Sequence, residues 1–237
     1  MVKNVSQQKA LTLAPDKNVL RALGLAFLVV IVLSIAGAVL LGETGWELAS
    51  TPDNLSEIMV GFANNPMIVQ TSIIVFLIEA VAIVILATLL FSVLKKQNKI
   101  IAQAALGLWI IEAVFIAIRQ VNVFAFLHVS QEYVLVGSPA VSYFHTLASL
   151  FYGLMQFSYD AQMIFYCFGG LLFYYLFFKS NYIPKWLSIL GIIAVILGFI
   201  GEVLIIFGNV GSIYFFLPIL LFELLVGLVL IKGIKSN

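Results

Sequence analysis

Apolar residues run for twenty or more positions at a time along this chain, and the polar residues collect between the runs. The runs fall at about 22–42, 67–94, 100–127, 157–178, 184–207 and 213–233. Each is long enough to cross ~30 Å of hydrocarbon as a helix. Ten-residue segments of alternating polarity, the mark of a membrane barrel, are absent. The pattern predicts an all-α, polytopic membrane bundle of six transmembrane helices in one domain over 20–237, behind a short tail at 1–19.

The connections differ in character. Residues 43–66 hold Glu43, Glu47, Asp53 and Glu57 and no lysine or arginine, with Pro52 and Pro66 as breakers. They predict an external loop with a short amphipathic turn at 54–63; the Asn54-Leu55-Ser56 sequon matters only in a secretory-pathway host. Residues 140–156 mix aromatic side chains with Ser142, His145, Thr146, Ser149 and Gln156. They predict an interfacial or partly embedded helix leading into the fourth span. Lys179-Ser180-Asn181-Tyr182-Ile183-Pro184-Lys185 predicts a turn, since Asn accepts the left-handed conformation that closes a helix and Pro can start the next. Gly208-Asn209-Val210-Gly211-Ser212 predicts another. Ala36-Gly37-Ala38 resembles a signal-peptidase site, but the run around it is longer than a signal h-region, so an uncleaved first helix is expected.

Charge orients the bundle. Of twelve lysines and arginines, only Arg119 lies away from the amino-terminal tail and its membrane edge, the 95–99 joint, the 179–185 turn or the carboxyl end. Lysine and arginine collect in cytoplasmic loops. Six spans with both termini cytoplasmic therefore satisfy the rule with one exception, in the cell membrane. Trp46, Trp186, Tyr182, Tyr143 and Tyr214 fall near the predicted boundaries, where amphipathic rings favour the headgroup zone.

Acidic residues inside the apolar runs carry the candidate chemistry. Glu79, Glu112, Glu202 and Glu223 each sit within a different helix, and Asp160 lies early in the fourth span. By helical rise, Glu79 and Glu112 lie roughly 20 to 24 Å from the basic joint between their helices, Asp160 and Glu202 roughly 20 to 28 Å from basic residues, and Glu223 ~14 Å from Lys232. The group is biased toward the outer half. An ionised acid at mid-bilayer costs about 2.5 to 3.5 kcal/mol even on the lenient insertion scale, so these side chains should face the bundle interior. Desolvation and neighbouring like charge both disfavour ionisation, which makes cation binding or proton exchange the expected consequences. The competing reading is that each acid is hydrogen-bonded glue between helices, worth ~0.6 kcal/mol. Arg119, seven residues beyond Glu112, shares its face about 10 Å higher. It predicts a fixed counter-charge for Glu79, Asp160 or Glu202 or a contact to an anionic ligand; the alternative is an arginine snorkelling to headgroups.

Other candidates are weaker. His128 and His145, with Asp160 or Glu132, have the residue types of a hydrolytic zinc site but no ligand spacing, so no metal is expected there. The lone Cys167 and the aromatic run 165–178 point to packing, with Gly169-Gly170 permitting close helix approach. Pro218, five residues before Glu223, predicts a kink in the sixth helix or a freed carbonyl near the acids.

Composition agrees: 63% hydrophobic and 10% charged residues, with mean hydropathy +1.14, could not keep a soluble surface wet. The basic residues are scattered over short loops, which excludes a nucleic-acid footprint. Walker loops, dinucleotide fingerprints, nucleophile elbows and metalloprotease helices are absent, so no cofactor is implied. The candidate partners are the lipid bilayer, a small cation or polar ligand, and another membrane protein or a second copy of this chain.

From about residue 20 to 233 the order of features resembles a bacterial membrane family, domain of unknown function 4386. The most specific match is Phe178-Lys179-Ser180-Asn181-Tyr182-Ile183-Pro184-Lys185-Trp186-Leu187. The family shows aromatic, basic, Ser, Gly, aromatic, apolar, Pro, basic and apolar residues there, so Asn181 replaces a glycine. Glu79, Glu112, Glu202 and Glu223 fall where the family tends to carry Asp or Glu. Trp109 departs from it, standing where the family often has an arginine paired with the third-helix acid. The resemblance implies the six-helix layout and the acid positions, and no particular activity.

Three functions follow as expectations. The first is a transporter or sensor whose acid-lined, outward-facing cavity binds a cation, a proton or a small polar ligand at Glu79, Glu112, Asp160, Glu202, Glu223 and Arg119. The second is a metal-dependent intramembrane enzyme acting on lipid through Asp160, His128, His145 and a glutamate. The third is a non-catalytic assembly partner.

Overall fold

The computed structural model describes residues 16–46, 55–137, 143–208 and 214–233. The tail before Asp16, Glu47, Pro52, Asp53, Asn54 of the sequon, Pro139, Ser142 and all but the first residue of the 208–212 turn lie outside them. Among the described residues there are seven helices: α1 (Lys17–Gly42), α2 (Leu55–Asn64), α3 (Pro66–Leu94), α4 (Lys99–Leu135), α5 (Tyr143–Ser180), α6 (Lys185–Ile206) and α7 (Leu217–Lys232). All but α2 belong to segments long and apolar enough to cross a membrane. The chain is a multi-pass membrane bundle.

Local chemistry sets the helix ends. The Asp16 carboxylate accepts the Asn18 N–H at 3.0 Å and opens α1, so Lys17 to Val19 are helical rather than tail. Asn98 accepts the Ile101 N–H at 3.1 Å and starts α4; such caps satisfy otherwise orphaned backbone donors. Pro66 occupies the first turn of α3, where a missing N–H costs nothing. After α5 the backbone of Asn181 turns left-handed at φ 56°, and Ser180 Oγ accepts the Tyr182 N–H at 3.1 Å. Pro184 then caps α6. This is the turn expected from the 179–185 pattern. Pro218 corrects an expectation: it stands in the first turn of α7, so it begins the helix instead of kinking it.

The six spans close a ring. Packing runs from α1 to α3, α3 to α4, α4 to α5, α5 to α6, α6 to α7 and back from α7 to α1. Glycines permit the tightest approaches. A Cβ on Gly24 of α1 would lie 2.6 Å from the carbonyl oxygen of Gly227 on α7, and one on Gly169 of α5 would lie 2.3 Å from Trp109 Cδ1 on α4. Small residues let membrane helices pack where no hydrophobic effect drives them together. Gly37, in the peptidase-like triplet, meets the Phe76 ring of α3 in the same way.

The sequence pattern ends the third span near 127 and expects an interfacial or partly embedded helix at 140–156 leading into the fourth span. Instead α4 and α5 are continuous helices of 37 and 38 residues, about 55 Å long, and they outrun the ~30 Å hydrocarbon core. They persist because they go on burying each other. Phe126, Leu127 and Tyr133 of α4 and Phe144, Ala148 and Tyr152 of α5 are all buried. Helix α2 covers this extension with Ile58, Met59 and Phe62, and Phe62 meets Phe126 edge-on at 4.8 Å. The amphipathic turn expected at 54–63 is this helix, and it packs on protein.

Candidate functional site

Lys17, Arg21, Lys95, Lys96, Lys99, Lys179, Lys185 and Lys232 all lie at one end of the spans, which gives the bundle a basic end. The ring encloses a cavity of about 290 Å³ whose walls come from α1, α3, α4, α5 and α7. Glu79 of α3, Glu112 and Arg119 of α4 and Glu223 of α7 all line it. Three of the five predicted acids and the one displaced arginine therefore meet in one place. Asp160 and Glu202 do not line the cavity. Their carboxyl groups face each other across the seam between α5 and α6. Both Glu202 oxygens are buried with no donor from another side chain or the backbone.

Each cavity acid is held differently. Ser34 Oγ of α1 donates to Glu79 Oε1, and the Tyr166 hydroxyl of α5 donates to Glu223 Oε1 at 2.8 Å. Glu112 is only 4% exposed, and its Oε2 has no hydrogen-bond partner. A buried acceptor without a donor costs about 1–3 kcal/mol unless something supplies one. The site is thus incomplete at Glu112.

Arg119 is 3% exposed, so it does not snorkel to headgroups. Its guanidinium sits in a box of three rings: Trp46 at 4.8 Å, Phe76 at 5.0 Å and Tyr159 at 5.2 Å. Aromatic faces attract cations, and more strongly out of water. Glu79 and Asp160 are the carboxyls close enough to feel its charge, yet its Nε and Nη2 carry no hydrogen bond. Trp46 corrects a second expectation. It is 3% exposed, so it serves the arginine box and not an interfacial belt, and its indole Nε1 also lacks a partner. Trp186, Tyr143 and Tyr214 are exposed near helix ends, as a belt requires.

The packing behind Tyr166, which lines the cavity, is aromatic. Trp109 stacks on Tyr166 at 5.8 Å and donates its Nε1–H to the Tyr166 carbonyl at 3.1 Å. The Tyr166 hydroxyl also lies 3.2 Å from that of Tyr174, and Tyr174 tilts against Phe222 at 4.3 Å. The tryptophan that departs from the family's arginine therefore fixes the tyrosine that holds Glu223.

Ser34, Trp46, Tyr159, Gln162 and Tyr166 were not singled out as site residues by sequence reasoning. One signal was present: Tyr159, Gln162 and Tyr166 recur at helical spacing on one face of a span that also carries Asp160. Ser34 gave no warning. The histidines do not converge. His128 is exposed with its ring edge-on to Phe124, and His145 Nε2 lies 3.3 Å from Ser56 Oγ. Among the described residues no three His, Cys, Asp or Glu side chains group as metal ligands. Cys167 is buried and free, its Sγ 3.4 Å from where a Cβ on Gly198 would stand.

A profile of the domain of unknown function DUF4386 matches residues 22–233, nearly the whole chain. The chain belongs to that family. No curated protein and no solved structure matches it. For this DUF4386 protein the turn at 178–187 and the intramembrane acids thus belong to the matched region, and function rests on the cavity.

Proposed function

We propose that this DUF4386 protein is a binding or transport protein of the cell membrane whose cavity takes a positively charged group, or a proton, at Glu79, Glu112 and Glu223. The supporting observation is that three carboxyls from three different spans face one cavity, with a Glu112 oxygen left free to receive a donor. Membrane acids that face a cavity serve substrate or proton paths by default, because their cost as mere packing is high. The described lysines and arginines other than Arg119 all stand at one end of the bundle. By the bias of cytoplasmic loops toward basic residues, both termini are cytoplasmic and the box around Arg119 lies toward the exterior.

The test is the unfolding temperature of the purified protein with Na⁺, K⁺ and a series of alkylammonium ions. A cationic group that binds the folded state raises it by mass action. At least one of these cations stabilises the native protein, and Glu112→Gln loses the effect while remaining folded. If none shifts the wild type, or Glu112→Gln responds equally, cation binding at these acids is refuted.

A further inference from the structure

The cavity is unsatisfied in two opposite senses. Buried donors without partners come from Arg119 Nε and Nη2 and from Trp46 Nε1. Buried acceptors without partners come from Glu112 Oε2 and Gln162 Oε1. All four residues line the same space. The donors gather beside Tyr159, whose ring covers the guanidinium; Gln162 is one turn further along α5, and Tyr166, holding Glu223, one turn beyond that. By helical rise the donor and acceptor levels lie roughly 4 to 10 Å apart. A single ligand with an oxyanion at one end of a short linker and an ammonium at the other would satisfy both sets.

The way in is visible on the wall. Ile35 of α1 and Leu220 of α7 line the cavity and are 48% and 41% exposed; with Ala38 of α1 they are the exposed residues of its lining. Exposure of the lining confined to these two helices puts the open side of the cavity in the gap between them. Helices α1 and α7 are clamped at Gly24 and Gly227, near the basic end; Ile35 and Leu220 lie eleven residues beyond Gly24 and seven before Gly227, towards the other end. The gap therefore opens sideways at hydrocarbon depth. An aqueous solute gains nothing from that route, whereas an alkyl chain can stay in lipid while its headgroup sits inside. A volume of about 290 Å³ is near the low end for ligand pockets, enough for a headgroup and part of one chain.

We infer that the cavity binds the zwitterionic headgroup of a membrane amphiphile, its oxyanion on Arg119 and Trp46 and its ammonium at Glu112, with the alkyl chain leaving between α1 and α7. This rests on the proposed role of the acids and adds the oxyanion and the chain. Planar guanidinium N–H groups suit phosphate or carboxylate oxygens, and the surrounding rings exclude the water that would otherwise compete.

Trp46, in contact with Arg119, and Trp109, stacked on the cavity residue Tyr166, together report occupancy. The experiment uses the full chain with Trp186→Phe in neutral maltoside micelles, and chain-brominated dodecyl probes that quench indole fluorescence. Three headgroups are compared: phosphoethanolamine, trimethylammonium and carboxylate. The expected result is saturable quenching by the phosphoethanolamine probe at least tenfold tighter than by either singly charged probe. Arg119→Gln should erase its advantage over the trimethylammonium probe, and Arg119→Lys should recover part of it. A trimethylammonium probe that binds as tightly as the zwitterion overturns the inference and leaves the acid site standing. A carboxylate probe that binds as tightly overturns the pairing and counts against the acid site as well. Equal competition by chainless phosphoethanolamine overturns lateral access. Quenching that rises linearly with probe in every case means partition only and overturns the whole. The headgroup comparison needs only protein with the native cavity, so it stands even if an Arg119 variant fails to fold.

Discussion

Gly169→Ala is the most informative small change, because one methyl tests the seam that positions Tyr166 in the cavity wall. Its Cβ would stand 2.3 Å from Trp109 Cδ1 and 2.7 Å from Nε1, with the Ala105 carbonyl 3.3 Å away. Trp109 has little room to retreat: it is 1% exposed, stacked on Tyr166, edge-on to Phe173 at 5.1 Å and hydrogen-bonded through Nε1. In an open helix interior alanine gains roughly 0.5–1 kcal/mol over glycine. Overpacking a close-packed core costs typically 1–3 kcal/mol. The clash outweighs the propensity, and the variant should lose about 1–2 kcal/mol of stability. The assay is a double-mutant cycle with Trp109→Leu, read by unfolding in mixed micelles. Removing the indole makes room for the new methyl, so the double variant should be about 1 kcal/mol or more stabler than the sum of the two single losses. Additivity within ~0.5 kcal/mol is what independent sites show. That result would refute the claim that Gly169 exists to admit Trp109.

Three further expectations follow from named contacts. Tyr166→Phe removes the donor to Glu223 Oε1 and leaves that acid unpartnered in the cavity wall, a loss of about 1–3 kcal/mol; Glu223→Gln in the same background should recover part of it in the same unfolding assay. Gly61→Ala would set a Cβ 2.2 Å from the Thr44 carbonyl oxygen, a backbone neighbour that yields little, so α2 should lift from α4. Hydrogen exchange around Ser130 and Tyr133 would then accelerate, and unchanged protection there would show that the two segments do not pack as described. Fluorescent-protein fusion to the carboxyl end should be bright and alkaline-phosphatase fusion inactive if, as proposed, both termini face the cytoplasm; the reverse pattern would invert the bundle.

The number and order of spans were legible because twenty-residue apolar runs have few other uses, and the turn at 179–185 because Asn181 and Pro184 each have a narrow conformational range. The overlong helices were not. Their continuation past residue 127 and before residue 157 depends on Phe126, Tyr133, Phe144 and Tyr152 meeting across the pair and under α2, a tertiary fact invisible to local polarity. The acids were found as a set because charge in hydrocarbon is conspicuous. Their division into a cavity group and the Asp160–Glu202 pair was not, since helical rise gives height and leaves the direction around the ring open. Trp46 failed for a related reason: a tryptophan at a helix end suits a headgroup belt until an arginine from another helix claims its face. Pro218 misled because the seventh helix begins four residues later than the apolar run does.

The most direct measurement is a high-resolution cryo-EM map of the protein purified from its membrane. The account predicts density inside the ring between Arg119 with Trp46 and Glu112, and a guanidinium turned inward among the rings of Trp46, Phe76 and Tyr159. An Arg119 side chain reaching the surface, with Glu79, Glu112 and Glu223 separated by packed side chains and no space between them, would contradict it.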